Sequence, residues 1–201
     1  TGSSNVAIGT SALAANTTAG SNTGIGRSAL AANTTGSANV AVGKDALKSN
    51  TTADNNTAVG YQSQESTTTG AGNTSVGLHA LRVNTTGANN TAIGFLTLDA
   101  NTTATGNTAV GQAAMGATTT GANNTAVGIG SLGANVNGAS NTAIGKEALN
   151  SNTSGGNNTA GGFEALTKNT TGESNTAFGR DALYNNTTAD NNVAVGQSAL
   201  N

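Results

Sequence analysis

Asn124-Thr125-Ala126-Val127-Gly128 is followed 17 residues later by Asn141-Thr142-Ala143-Ile144-Gly145, and the same five-residue figure recurs along the whole chain. The figure is Asn, a small or β-branched residue, a small residue, an apolar residue, then Gly; it occurs twelve times between Asn5 and Gly196 without insertion or deletion. A strict short period makes each repeat one supersecondary unit that cannot bury its apolar side alone and must stack on its neighbours. With the Asn counted as position 0, position 4 is always Gly, and position 3 is Ile, Val or Phe except at Gly161. Position 8 is Leu except at Gln64 and Met115, and position 11 is Asn except at Thr67 and Thr118. Positions 12 and 13 are mostly Thr, and position 14 is Gly or Ala.

The Asn-Thr-Ala-Val-Gly figure suits a short strand, with β-branched residues at alternate places and a terminal Gly that tolerates positive φ. Alternation puts positions 1 and 3 on one face and positions 0 and 2 on the other. The bulkier pair, positions 1 and 3, is expected inward and the small position 2 outward, so Gly161 stands where an inward apolar residue belongs. Further short strands or extended segments are expected at positions 6 to 8, sending Leu inward, and at positions 11 to 13, stacking Asn and Thr in ladders. A helix does not fit, because Gly interrupts the Ala-Leu segments after too few residues. A leucine-rich repeat does not fit either, since each copy carries only about two large apolar residues. The chain therefore reads as all-β: a parallel β-solenoid of about twelve coils, one per 17-residue repeat, forming a single array over residues 1–201. At about 4.8 Å between stacked strands the rod is about 55 Å long. Two large side chains per coil are few against the entropy of fixing 17 residues, which points to further burial between chains, hence an oligomer. Neither terminus looks like a polar solenoid cap, so the array reads as a slice of a longer fibre.

Composition narrows the function. Only 8% of residues are charged and the formal net charge is −2, which supplies no electrostatic footprint for nucleic acid or an anionic membrane. No stretch approaches the roughly 20 apolar residues of a membrane span. With no Cys and a single histidine, His79, neither thiolate metal sites nor a His cluster can form. No Ser/His/Asp set, phosphate loop or Asp-bearing Ca²⁺ repeat is present, so no catalytic residue, metal or cofactor is assigned. Glu147 and Glu164, at position 6 in adjacent coils, would lie about one strand spacing apart, close to the separation of a retaining pair, but nothing around them suggests glycoside chemistry.

All sixteen charged residues fall at positions 5, 6, 9, 10 and 15, which marks these as the solvent-facing bends. Position 5 is the most variable and carries Tyr61, Leu78, Phe95, Ile129 and Phe163, an apolar stripe that forms the candidate contact surface. It serves either as a packing seam between chains or as a receptor or glycan contact. Asn-x-Thr recurs at Asn16, Asn33, Asn55, Asn84 and Asn169; the structural period places most of these Asn, so the motif reads as ladder chemistry before it reads as a glycan acceptor.

The strand signature Asn-Val-Ala-Ile-Gly at Asn5–Gly9, its copies at Asn39–Gly43 and Asn192–Gly196, and the Ala-Leu that follows resemble the head repeats of trimeric autotransporter adhesins and repeats of phage tail fibres. The resemblance implies a left-handed parallel β-roll, three chains side by side, and a binding or spacer role outside the cell or on a virion. The expected function is a non-enzymatic structural or adhesive fibre that associates with copies of itself and presents its bends to a host-surface receptor or glycan. The alternative is an ice-binding solenoid, since stacked Thr rows with little charge and much Ala resemble several antifreeze β-solenoids. In that case Asn-x-Thr is the expected outward pair.

Overall fold

The computed structural model describes residues 2–201. Each repeat contributes one three-residue strand: β1 Val6–Ile8, β2 Thr23–Ile25, β3 Val40–Val42, β4 Thr57–Val59, β5 Thr74–Val76, β6 Thr91–Ile93, β7 Thr108–Val110, β8 Thr125–Val127, β9 Thr142–Ile144, β10 Thr159–Gly161, β11 Thr176–Phe178 and β12 Val193–Val195. The twelve strands form one parallel sheet in chain order. Register is constant: Thr125 pairs with Thr142, Ala126 with Ala143, Val127 with Ile144. Eleven turns of the chain connect them, and like side chains lie in files along the rod. This is the expected parallel β-solenoid.

The strand faces are the reverse of the expectation. Position 2 is buried throughout the interior coils, as at Ala58, Ala92, Ala126 and Ala143, whereas positions 1 and 3 are half-buried or exposed on the outer side of the sheet. Two physical reasons combine. Position 0 shares a face with position 2, and the Asn there is buried to build a ladder, so the β-branched residues must face out. The coil is also too narrow for both. A methyl at Gly24, a position 2 site, would sit 3.4 Å from Leu13 Cγ and 3.2 Å from the Ala29 carbonyl oxygen, which leaves room for Ala and no more. The interior therefore consists of the position 8 Leu file, reaching across to the Ala files at positions 2 and 7, with Asn at positions 0 and 11.

Each interior position 0 Asn accepts from the next coil's backbone N–H and donates to a position 14 carbonyl, and several also bond the Asn of the coil before. Asn141 accepts from the backbone N–H of Asn158 through Oδ1 (2.9 Å) and donates through Nδ2 to the Gly155 carbonyl (2.9 Å) and to Asn124 Oδ1 (3.2 Å). Asn152, at position 11, donates to the same Gly155 carbonyl at 2.9 Å and to Asn135 Oδ1 at 2.9 Å. Two amide files thus clamp one carbonyl file along the rod. Asn141→Ala removes three bonds and leaves buried partners unpaired, so it costs about 2–4 kcal/mol, read as a lowered melting temperature by circular dichroism.

The expected strands at positions 6 to 8 and 11 to 13 are absent; those segments are turns and bends. They nevertheless bond coil to coil, Leu132 N–H to the Ala148 carbonyl at 3.0 Å and Glu147 N–H to the Ile129 carbonyl at 2.9 Å. The backbone there alternates into the left-handed region at positions 6, 8 and 16, including Leu47 (φ 47°), Leu132 (φ 49°) and Leu149 (φ 51°). A left-handed residue turns the chain sharply, and at these positions the N–H still bonds to the neighbouring coil. Leu does not favour that conformation. Its side chain is held there by complete burial.

Gly161 is explained by its neighbour in the next coil. A methyl at Gly161 would stand 2.5 Å from two ring carbons of Phe178. The Phe178 ring lies back over the Gly, so the largest and the smallest residues of the position 3 file compensate each other. Gly161 is therefore an outward position covered by a ring, not an inward gap.

Candidate functional site

With positions 1 and 3 facing out, the outer side of the sheet becomes one continuous surface: a file of Thr or Val beside a file of Val or Ile, broken only by the Gly161–Phe178 step. Among its side chains Ile93 is 40% exposed, Ile144 50% and Phe178 49%. No charged residue lies on it, because every charge is at positions 5, 6, 9, 10 or 15. The sequence missed this surface by assigning it to the core. The signal that could have found it was the Asn at position 0, whose burial dictates the direction of its neighbours.

The five stripe residues Tyr61, Leu78, Phe95, Ile129 and Phe163 all stand exposed on the ridge beside this face, next to the position 3 file across the Gly at position 4. Stacking at one strand spacing makes Tyr61, Ile129 and Phe163 neighbours of charged residues in the same file. The Lys44 ammonium stands 5.1 Å from the Tyr61 ring centre, and His79 packs on that ring at 5.6 Å while hydrogen-bonding Gln62 Oε1 at 2.9 Å. Phe163 lies between the Lys146 ammonium (5.4 Å) and the Arg180 guanidinium (5.6 Å). These cation–π contacts engage Tyr61 and Phe163 within the chain, whereas Phe95 has no such neighbour among the described residues.

Eleven of the sixteen charged residues form ion pairs. Asp45 is nearly buried among Arg27, Lys44 and Lys48, and Lys146 and Arg180 pair with Glu147 at 3.3 Å and Asp181 at 3.1 Å. Arg82 meets Asp99 of the next coil at 2.9 Å, and this hydrogen bond raises its pKa above the ordinary arginine value. Exposed pairs of this kind contribute little to stability. A shallow hollow lined by Glu164, Arg180, Asp181, Tyr184 and Asn201 lies over the last coils.

The Asn-x-Thr motifs separate by position. Asn33, Asn84 and Asn169 are buried, and each donates its amide within the position 11 file and to the carbonyl three residues on. Asn16 is half-buried in the same file, while Asn55 is exposed at position 16. The ladder is faulty in two places. Asn50 Oδ1 and Asn101 Oδ1 have no partner, because the next coil offers Thr67 and Thr118 in place of an amide donor. Both of those coils also depart from Leu at position 8, with Gln64 and Met115. Gln64 sits in a buried polar cluster, donating to the Thr57 carbonyl at 3.0 Å and to Ser75 Oγ at 2.9 Å, with Ser63 bonded to Ser75, while its own Oε1 has no partner. Restoring the consensus at the second fault, Met115→Leu with Thr118→Asn, stabilises by about 1–2 kcal/mol. The gain in the double variant exceeds the sum of the single ones, as a four-way comparison of melting temperatures will show.

Compared with protein-family models, with curated proteins and with solved structures, the chain matches none.

Proposed function

We propose that this chain is a segment of a non-enzymatic structural or adhesive fibre that associates with copies of itself through the outer face of its sheet. The observation that carries the reading is that face: charge-free, apolar at position 3 and continuous over twelve coils. Contiguous apolar surface of this kind marks contact sites. Three residues by twelve strands is about 10 Å by about 55 Å, roughly 550 Å² per copy. The position 5 ridge brings this toward the roughly 800 Å² per partner of a stable complex. The Phe178 ring covers Gly161, so the face carries no gap at that step. The resemblance to trimeric adhesin heads and tail fibres favours three copies, and a place outside the cell or on a virion. The variable bends away from that ridge, at positions 9, 10 and 15, are then the surface offered to a receptor or glycan. Sedimentation equilibrium tests the association: a multiple of 19.2 kDa is expected, and a monomer at all concentrations rejects it.

One observation favours a second reading, ice binding. The outward pair is Thr at position 1 with Val or Ile at position 3, two residues and about 6.7 Å apart, repeated with constant register along a parallel sheet. It replaces the Asn-x-Thr pair expected from the sequence, whose Asn is buried. Thermal hysteresis and ice-recrystallisation assays decide it, and the absence of both effects eliminates this reading.

A further inference from the structure

We infer that Phe178, seated over Gly161, sets the axial register in which copies of this chain meet; the inference rests on self-association through the outer sheet face. A surface made of near-identical rungs has a register problem. Sliding one copy along another by one coil, about 4.8 Å, sets Thr against Thr and Val against Ile again, so every whole-coil slip is nearly equivalent. Regular pairing surfaces with a repeated pattern specify register weakly. In coiled coils one exceptional residue in a repeating seam removes that degeneracy.

The face carries one such exception. Position 1 alternates only between Thr and Val, and position 3 between Val and Ile, until Gly161 and Phe178. The Phe178 ring is half-exposed and reaches back over the coil before it. When copies run in the same direction without a slip, ring meets ring, an arrangement aromatic pairs favour. A slip of one coil sets part of each ring against Ile144 or Val195 and opens space beside it. Copies running in opposite directions bring the two rings together only by giving up most of the overlap, because Phe178 belongs to the eleventh of twelve strands. The variable position 5 ridge is a weaker determinant, since several of its side chains already engage one another along their own file.

The chain has no Cys, so Thr120→Cys, exposed at position 13 and away from the sheet, places one spin label per copy. Pulsed dipolar spectroscopy then reads the distances between copies. The parent gives one narrow set of distances. The variant Gly161→Val/Phe178→Val, which restores the Val-over-Val arrangement of Val59 and Val76, keeps its melting profile and its mass in solution. Its distance distribution broadens at least about two-fold, through slips of about 4.8 Å and its multiples. A variant that stays associated with the parent's single narrow distribution overturns the register role. A parent with no dipolar coupling and a monomeric mass overturns self-association itself, and the two failures are distinct.

Discussion

Replacing Gly111 with Val unstacks the middle of the rod, whereas replacing its neighbour Gln112 with Ala leaves the melting temperature almost unchanged. Gly111 has φ 130°, a conformation L side chains rarely adopt, and a methyl there would lie 2.6 Å from the Gly128 carbonyl oxygen and 2.7 Å from its carbon. The obstacle is backbone of the next coil, so no side chain can move aside. Either the strand turns differently or the two coils separate, breaking the bond from Gly128 N–H to the Val110 carbonyl, 2.8 Å in the native stack. Backbone strain with lost stacking costs about 3–5 kcal/mol. Gln112 is an exposed bend residue, and its substitution stays within about 0.5 kcal/mol. Melting followed by circular dichroism separates the two, with hydrogen exchange showing lost protection concentrated around coils seven and eight. Equal losses would mean that scaffold and bend positions are wrongly assigned.

Val127→Lys and Ala126→Leu, adjacent in β8, have opposite consequences. Val127 is 38% exposed and Ala126 0%. A lysine at position 127 keeps its charged end in water, so the isolated rod folds with a melting temperature close to the parent's. The same charge in a seam between copies is buried without a partner, a cost of several kcal/mol that abolishes association. The isobutyl group that Ala126→Leu introduces has no space between the sheet and the position 8 file, and overpacking costs about 1–3 kcal/mol or more. The first variant thus becomes a folded monomer, the second a destabilised rod. Melting curves and sedimentation on the same samples provide the check. An exchange of the two phenotypes would restore the inward placement of the β-branched residues.

Much of this was legible in the residues. The unbroken spacing of Asn5 to Asn192 requires stacking, and the Gly at position 4 marks where each strand turns. The Leu at position 8 is inward as its character demands, and the charges sit on bends. The candidate site was only half legible. The position 5 ridge could be found from its variability, but the sheet face beside it was hidden by the ordinary rule that Val and Ile face inward. Burying the Asn file satisfies two or three bonds per side chain, and that outweighs burying a β-branched residue in a coil too narrow for one. Gly161 could not be understood alone either, because its reason, the Phe178 ring, lies 17 residues away.

By itself the sequence determined the period, hence one coil per repeat, the parallel stacking and the files of like side chains, because a repeat without insertions has no other way to satisfy every copy at once. Only the tertiary structure decided which strand face is inside, and that Leu47, Leu132 and their equivalents adopt left-handed backbone. Alternation in a strand is symmetric between its two faces. A local preference against positive φ is overcome only when the neighbouring coil supplies the hydrogen bond and the burial that hold it.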